Sequence, residues 1–244
     1  MTVGNKYNGK RTKDRLPQAL FVLLLAGAVG LSILFLVRGM RRVESVAASG
    51  MTTLMIDPGH GGFDGGAVSA DGTKESELNL SIGLKLRSIA ELLGLKTQMT
   101  RSDESARQDY ASYSEHEDLV ARTERINAEP GALLISIHQN DFPTGQPSGA
   151  QVLYAKTPGS ESLGRICHQN LVEQLDPQNR RLAAPAPRSL YITSHVSCPA
   201  VLVECGFMSN FDDVQKLRDG SYQTSLALVL AASLLQYLNE SDLS

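Results

Sequence analysis

Four short stretches of this 244-residue chain carry side chains suited to one hydrolytic reaction. The first is Asp57-Pro58-Gly59-His60-Gly61-Gly62, a glycine-rich turn around a histidine. Lys74-Glu75 comes next, then Ser136-Ile137-His138-Gln139-Asn140, then Val201-Leu202-Val203-Glu204-Cys205-Gly206-Phe207. Two imidazoles and one carboxylate are a frequent ligand set for zinc, with a fourth position left for water. Zinc lowers the pKa of such a water to about 7 and polarises a carbonyl, which suits amide hydrolysis. A separate carboxylate nearby can take the water's proton and pass it to the departing amine. Taken singly, each residue has a plainer reading. His60 fits a structural histidine after a strand, and Glu75 a carboxylate favoured by the helix dipole. Glu204 fits one half of an ion pair with an arginine, since a charge closing an apolar strand is costly if left alone.

Competing chemistries fail on spacing. The glycine-rich turn lacks the Gly-Lys-Ser/Thr ending of a P-loop, and Asp64 stands where a dinucleotide-binding turn needs its third glycine. No Gly-x-Ser-x-Gly elbow is present, and no cysteine shares a recognisable motif with a histidine. Cys167, Cys198 and Cys205 form no metal-type pair and read as small core residues. His116, His168 and His195 lie outside the motifs and read as surface or packing residues.

The elements that must position the four stretches alternate. Strands are expected at Thr52–Ile56, Leu95–Thr100, Ala132–Ile137, Gly149–Tyr154, Leu190–Thr193 and Pro199–Val203. Helices are expected from about Ser76 to Leu93, where apolar residues recur at helical spacing, and over Asp118–Ala128, Ser160–Leu175 and Tyr222–Leu238. Asn210 is placed to cap a short helix ending near Leu217. Pro177–Arg188 reads as a loop that borders the site. Such alternation implies an α/β fold, an open sheet of about six strands with helices on both faces. In such sheets ligands bind beyond the carboxyl ends of the strands, where His60, His138 and Glu204 are expected, with Glu75 on the loop that leaves the first strand.

The amino-terminal part is different. Residues 1–50 hold eight Lys or Arg against two acids, while the remaining 194 residues hold 15 basic and 24 acidic groups. An acidic body of net charge -9 is a poor match for phosphate backbones, so no nucleic-acid partner is expected. Residues 19–37 run without a charge, close to the twenty or so a helix needs to span a bilayer. Arg38, Arg41 and Arg42 follow directly, which favours an uncleaved anchor over a cleaved signal peptide. The basic residues 1–18 are then expected on the cytoplasmic side, with 38–51 as a linker and 52–240 as an extracytoplasmic catalytic domain.

The motifs together resemble the zinc-dependent N-acetylmuramoyl-L-alanine amidases of the type-3 class. The matching pieces also include Thr100-Arg101-Ser102-Asp103, Arg122 within Leu119 to Asn127, and Pro199 to Asn210, in unbroken order from about Thr52 to Leu238. The resemblance implies a single three-layer α/β domain with a mixed, mostly parallel sheet. It implies His60, Glu75 and His138 as ligands of Zn2+, Glu204 as the catalytic carboxylate, and peptidoglycan as substrate. Gln139 departs from the small residue usual in the family and is expected to narrow the site. The absence of a long insert between Tyr154 and Pro199 implies an open groove without a blocking helix. The Cys205-Gly206-Phe207 variant and the hydrophobic amino-terminal segment resemble the spore-germination amidases, for which a spore-cortex substrate is implied and a lipoprotein activator is a candidate partner. Two other functions remain open on the residues alone: a zinc carboxypeptidase acting on the stem peptide, and an inactive wall-binding module.

Overall fold

Alternation along the strands decides which face of the sheet each residue serves. Leu54 and Ile56 of the first strand pack in one apolar cluster and Met55 in another. Leu133, Ile135 and Ile137 likewise share the first cluster, while Leu134 joins the second. A strand apolar on both sides has to be covered on both sides, and this one is.

The structure is a computed structural model and describes residues 52–105 and 113–241. The expected membrane segment 19–37 lies outside them, and no described helix is long and apolar enough to cross a membrane. In chain order the elements are β1 (Thr53–Pro58), α1 (Glu75–Leu92), β2 (Lys96–Met99), α2 (Glu115–Asn127), β3 (Ala132–Asn140) and β4 (Gln151–Tyr154). They continue with α3 (Ser160–Leu175), β5 (Ala184–Pro185), α4 (Tyr191–His195), β6 (Ala200–Phe207), α5 (Phe211–Arg218) and α6 (Gly220–Ser241). The strand order is β2-β1-β3-β6-β4-β5. β2, β1, β3 and β6 are mutually parallel, and β4 pairs antiparallel to β6 and parallel to β5. This is the expected mixed, mostly parallel sheet.

Helices α1, α3 and α6 cover one face through Ile82, Leu86, Leu163, Leu171, Leu226 and Leu230. α2 and α4 cover the other through Ile126 and Ile192. Because the chain goes from β1 to β2 on one side and then across to β3 on the other, the strand order reverses between β1 and β3. The carboxyl ends of those two strands therefore form the crevice in which such folds bind ligands.

Three expectations change. Leu190–Thr193, read as a strand from its β-branched content, forms the start of helix α4: Ser194 N–H donates to the Leu190 carbonyl at 3.2 Å and the Thr193 hydroxyl donates to the same oxygen at 3.1 Å. A strand appears instead within the expected Pro177–Arg188 loop, as the two-residue β5. β3 and β6 run three and four residues further than expected, so His138 and Glu204 lie within the strands instead of beyond them. Asn210 does cap α5, accepting from Asp213 N–H at 3.1 Å. The three cysteines are free and buried, and burial pushes the Cys167 and Cys205 thiols up to about 12. His195 stacks on Tyr191, His116 meets the same ring edge-on, and His168 bonds the Arg181 carbonyl, all packing roles.

A buried ion pair holds the rim. Asp57 accepts from Thr100 Oγ1 and Ser136 Oγ at 2.7 Å each and from Arg122 Nη1 at 3.2 Å. Burial alone would raise its pKa, but Arg122, with the two hydroxyls and the nearby His138 helping, brings the carboxyl down from 3.8 to about 2. Its contribution to stability is thus present above pH 3.8 and lost as the pH falls towards 2. Asp57→Asn removes one of two carboxylates that neutralise the buried Arg122, Asp118 at 2.9 Å from its Nε being the other, and should cost about 3 kcal/mol at neutral pH, the low end for a broken buried pair. Urea unfolding at pH 7 and pH 3 checks this: the gap between wild type and variant should narrow at the lower pH.

Candidate metal centre

Residue parity brings the site together. Asp57, Ser136, His138 and Glu204 share the sheet face that α2 and α4 cover, at the carboxyl ends of β1, β3 and β6. His138 and Glu204 are direct register partners on neighbouring parallel strands. Just beyond β1 the chain turns sharply, and His60 itself adopts a left-handed conformation at φ 61°. The turn closes with paired backbone bonds between Gly61 and Asp64. This places the Asp64 carboxylate 2.6 Å from His60 Nδ1.

Two glycines are required by close approach. A Cβ at Gly59 would stand 2.2 Å from Nε2 of the His138 ring. A Cβ at Gly66 would stand 2.7 Å from Glu75 Oε2 and 2.8 Å from His60 Cδ2. The glycine-rich turn is therefore shaped around imidazoles and a carboxylate, in keeping with its failure to fit a phosphate loop.

Glu75 opens α1 and reaches over the rim from the other face. Its Oε1 lies 3.3 Å from His60 Nε2 and 3.0 Å from His138 Nδ1. Gln139 N–H donates to the same oxygen at 3.0 Å and Asn79 Nδ2 at 3.3 Å, while Ala67 N–H donates to Oε2 at 3.0 Å. One ligand atom from each of His60, Glu75 and His138 lies within 4.8 Å of the others, so the three can hold a metal ion.

The donor chemistry favours a cation there. A neutral His60 that donates Nδ1–H to Asp64 presents a lone pair at Nε2, facing a carboxylate oxygen that also bears lone pairs. Two acceptors at 3.3 Å repel unless a proton or a metal ion lies between them. Without a metal, the ring takes the proton: burial opposes it, but Asp64 and Glu75 together raise the His60 pKa to about 10. Glu75 is burdened by burial as well, yet the two imidazoles hold its carboxyl well below the usual range. A carboxylate that fixes the far nitrogen of a ligating imidazole is a recurrent second layer of zinc sites.

Glu204 is different. Its Oε2 is buried without a hydrogen-bond partner, and among the described residues no arginine pairs with it. Burial pushes its pKa up to about 7; Glu75 adds to the rise, and His138 and His60 oppose it. It lines a cavity of about 290 Å³ together with His60, Glu75, His138 and Ser189 to Thr193.

Several supporting residues escaped the sequence. Asp64 stands four residues after His60, and Asn79 stands four after Glu75 on the same helix face, bonding both Glu75 and the Gly59 carbonyl. Gln139, expected to narrow the site, is buried and donates from Nε2 to Asn79 Oδ1 at 3.0 Å. Arg101 pairs with Glu104 and also clamps the carbonyls of Pro58, Gly59 and Ser76 at 2.8–3.0 Å. It thereby ties the glycine-rich turn to α1.

The N-acetylmuramoyl-L-alanine amidase family model matches residues 54–236. The chain belongs to that family. The germination-specific N-acetylmuramoyl-L-alanine amidase of Bacillus subtilis is 32% identical over 192 residues, covering 77% of this chain and 80% of that protein. The CwlD amidase of Clostridioides difficile, solved in complex with the GerS lipoprotein, superposes with a TM-score of 0.73 at 32% identity, over 77% of this chain and 98% of that one. The amidase AmiC2 of Nostoc punctiforme gives a TM-score of 0.65 at 28% identity, over 77% and 97%. The chain is thus an amidase that hydrolyses the bond between N-acetylmuramic acid and L-alanine in peptidoglycan, and its likeness to the germination amidases agrees with the resemblance read from its motifs.

Proposed function

We propose that this amidase works with one zinc ion held by His60, Glu75 and His138, and with Glu204 as its proton carrier. The observation that carries the reading is the register pair His138 and Glu204, which sets a buried carboxylate oxygen without a partner beside the three-donor cluster. When bound, zinc would polarise the scissile carbonyl and lower the pKa of water to about 7. Asp64 fixes the His60 ring so that Nε2 faces Glu75, where it would hold the ion, and Asn79 and the Gln139 N–H fix Glu75. Glu204 takes the proton of the attacking water at Oε2 and returns it to the L-alanine nitrogen as the amide breaks. Burial favours its protonated form, and a cation in the three-donor cluster would favour the carboxylate, so both forms are within reach.

The wall substrate places the enzyme's work outside the cytoplasm. Residues 19–37 anchor it to the membrane, and residues 52–240 form the catalytic domain. Its likeness to the germination-specific amidase of Bacillus subtilis supports spore cortex as the substrate, and the lipoprotein complex of the CwlD amidase supports a lipoprotein partner. Mass spectrometry of digested cortex and vegetative wall tests the reaction. Intact stem peptides with a free L-alanine amine are expected, in larger yield from cortex. Shortened stems still attached to glycan would mean a carboxypeptidase and reject the reading.

A further inference from the structure

Strand order gives the reaction a direction. Neighbouring strands run β1-β3-β6, so the His60 turn lies on one side of His138 and Glu204 on the other. Glu204 returns its proton to the L-alanine nitrogen, which sets the amine half of the scissile amide on the β6 side. The acyl half, the lactyl group with its sugar, then points towards the β1 side. The inference below rests on the proposed reaction and on that role of Glu204.

The β1 side carries an aromatic pair that the fold does not call for. Backbone bonds between Gly61 and Asp64, at 2.7 and 3.2 Å, leave Gly62 and Phe63 as the tip of a tight turn. The left-handed φ of 62° explains Gly62. Neither the turn nor the core asks for an aromatic ring at position 63, and Phe63 is 46% exposed. Tyr113, just before α2, holds its ring edge-on to Phe63 with the centroids 6.0 Å apart. The pair borders the site cavity: Asp64, next to Phe63, and Glu115, two residues after Tyr113, both line it. Burial raises the Tyr113 pKa, and the charges of Asp64, Asp118 and Glu115 add to the rise, which fits a phenol close to that rim.

The chemistry of a wall glycan suits this rim. Its β-linked amino sugars hold their substituents equatorial and their C–H bonds axial, so each pyranose has two apolar faces and a polar edge. An exposed aromatic ring packs against such a face. Glu115, exposed on the cavity wall, can accept from hydroxyls at the edge. We propose that Phe63, backed by Tyr113, binds a pyranose of the glycan strand and so fixes the side of the metal centre from which the sugar enters. The peptide then leaves across the β6 side.

The test gives the full chain, with its metal, two substrates that share one amide. The first is N-acetylglucosaminyl-N-acetylmuramoyl-L-alanyl-D-isoglutamine; the second carries the same dipeptide on O-methyl-D-lactate and has no sugar. Wild type should prefer the disaccharide by about tenfold or more in kcat/KM, mostly through KM. Phe63→Ala should reduce that preference about tenfold. Phe142→Ala is the control. Phe142 is also half exposed, at 49%, but its N–H donates to Ser209 Oγ beyond the end of β6, so its loss should leave the preference intact. Because the ratio compares two substrates on one preparation, it does not depend on the fraction that folds. If wild type cuts the sugar-free compound too slowly to measure, the first expectation is met, and the variants are compared on the disaccharide per bound zinc. Equal cleavage by wild type, an undiminished preference in Phe63→Ala, or a loss found in Phe142→Ala instead overturns the inference and leaves the amidase standing. Failure of wild type to cleave either the disaccharide or intact cortex overturns both.

Discussion

Glu204→Gln should keep a full complement of metal and lose about 10²–10⁴-fold in kcat. The substitution preserves shape and removes only the ability to accept and return a proton. Nothing in the geometry makes Glu204 necessary for binding the ion, since the three clustered donors belong to His60, Glu75 and His138. Its buried Oε2 has no protein partner to lose, so the fold should tolerate the change. A neutral amide in place of a carboxylate whose pKa is pushed up to about 7 also relieves the cost of burying a charge. The variant should therefore be no less stable than wild type while nearly inactive. Steady-state kinetics with metal analysis on the same sample checks this. Turnover near that of wild type would remove Glu204 from the reaction.

His138→Ala should fail in a different way, losing both metal and turnover. Loss of a partner that only orients a ligand costs about 10–100-fold in metal affinity, and loss of the ligand itself should exceed that. The substitution also removes the ring that packs on Gly59. It leaves Glu75 without one of the two imidazoles that hold its charge. Zinc content after dialysis should fall well below one per chain, and activity should fall below that of the Glu204 variant. Stoichiometric zinc in this protein would remove His138 from the ligand set. The pair of variants separates binding from proton transfer, because each leaves the other function's residues in place.

Most of the fold was legible because strand and helix periods differ sharply in this chain. Leu133 to Ile137 cannot read as anything but a strand buried on both sides, and α3 runs over Ser160–Leu175 as its pattern requires. Leu190–Thr193 misled because β-branched residues favour strands only where a neighbour supplies the ladder. Here the local carbonyl of Leu190 collects the bonds instead. Three of the four candidate site residues, His60, His138 and Glu204, were visible as imidazole or charged groups at strand ends, and Glu75 as a carboxylate at a helix start. What held them was harder to see. Asp57 ends β1 as a charge in a buried strand, the same signal that marked Glu204, and its partner Arg122 lies 65 residues away. Asp64 and Asn79 each follow a site residue at four positions, a spacing that gains meaning only once the turn and the helix are in place. Gln139 shows what residue size alone leaves out: the side chain lines the cavity, but its amide is bonded to the buried Asn79.

The central claim is that three side chains from β1's following turn, the start of α1 and the end of β3 share one divalent cation. X-ray diffraction from crystals grown with zinc, with data collected on both sides of the zinc absorption edge, measures this directly. A single anomalous peak is predicted at about 2.0–2.2 Å from His60 Nε2, His138 Nδ1 and a Glu75 carboxylate oxygen. A peak elsewhere, or none with His60 Nε2 and Glu75 Oε1 still 3.3 Å apart, would contradict it.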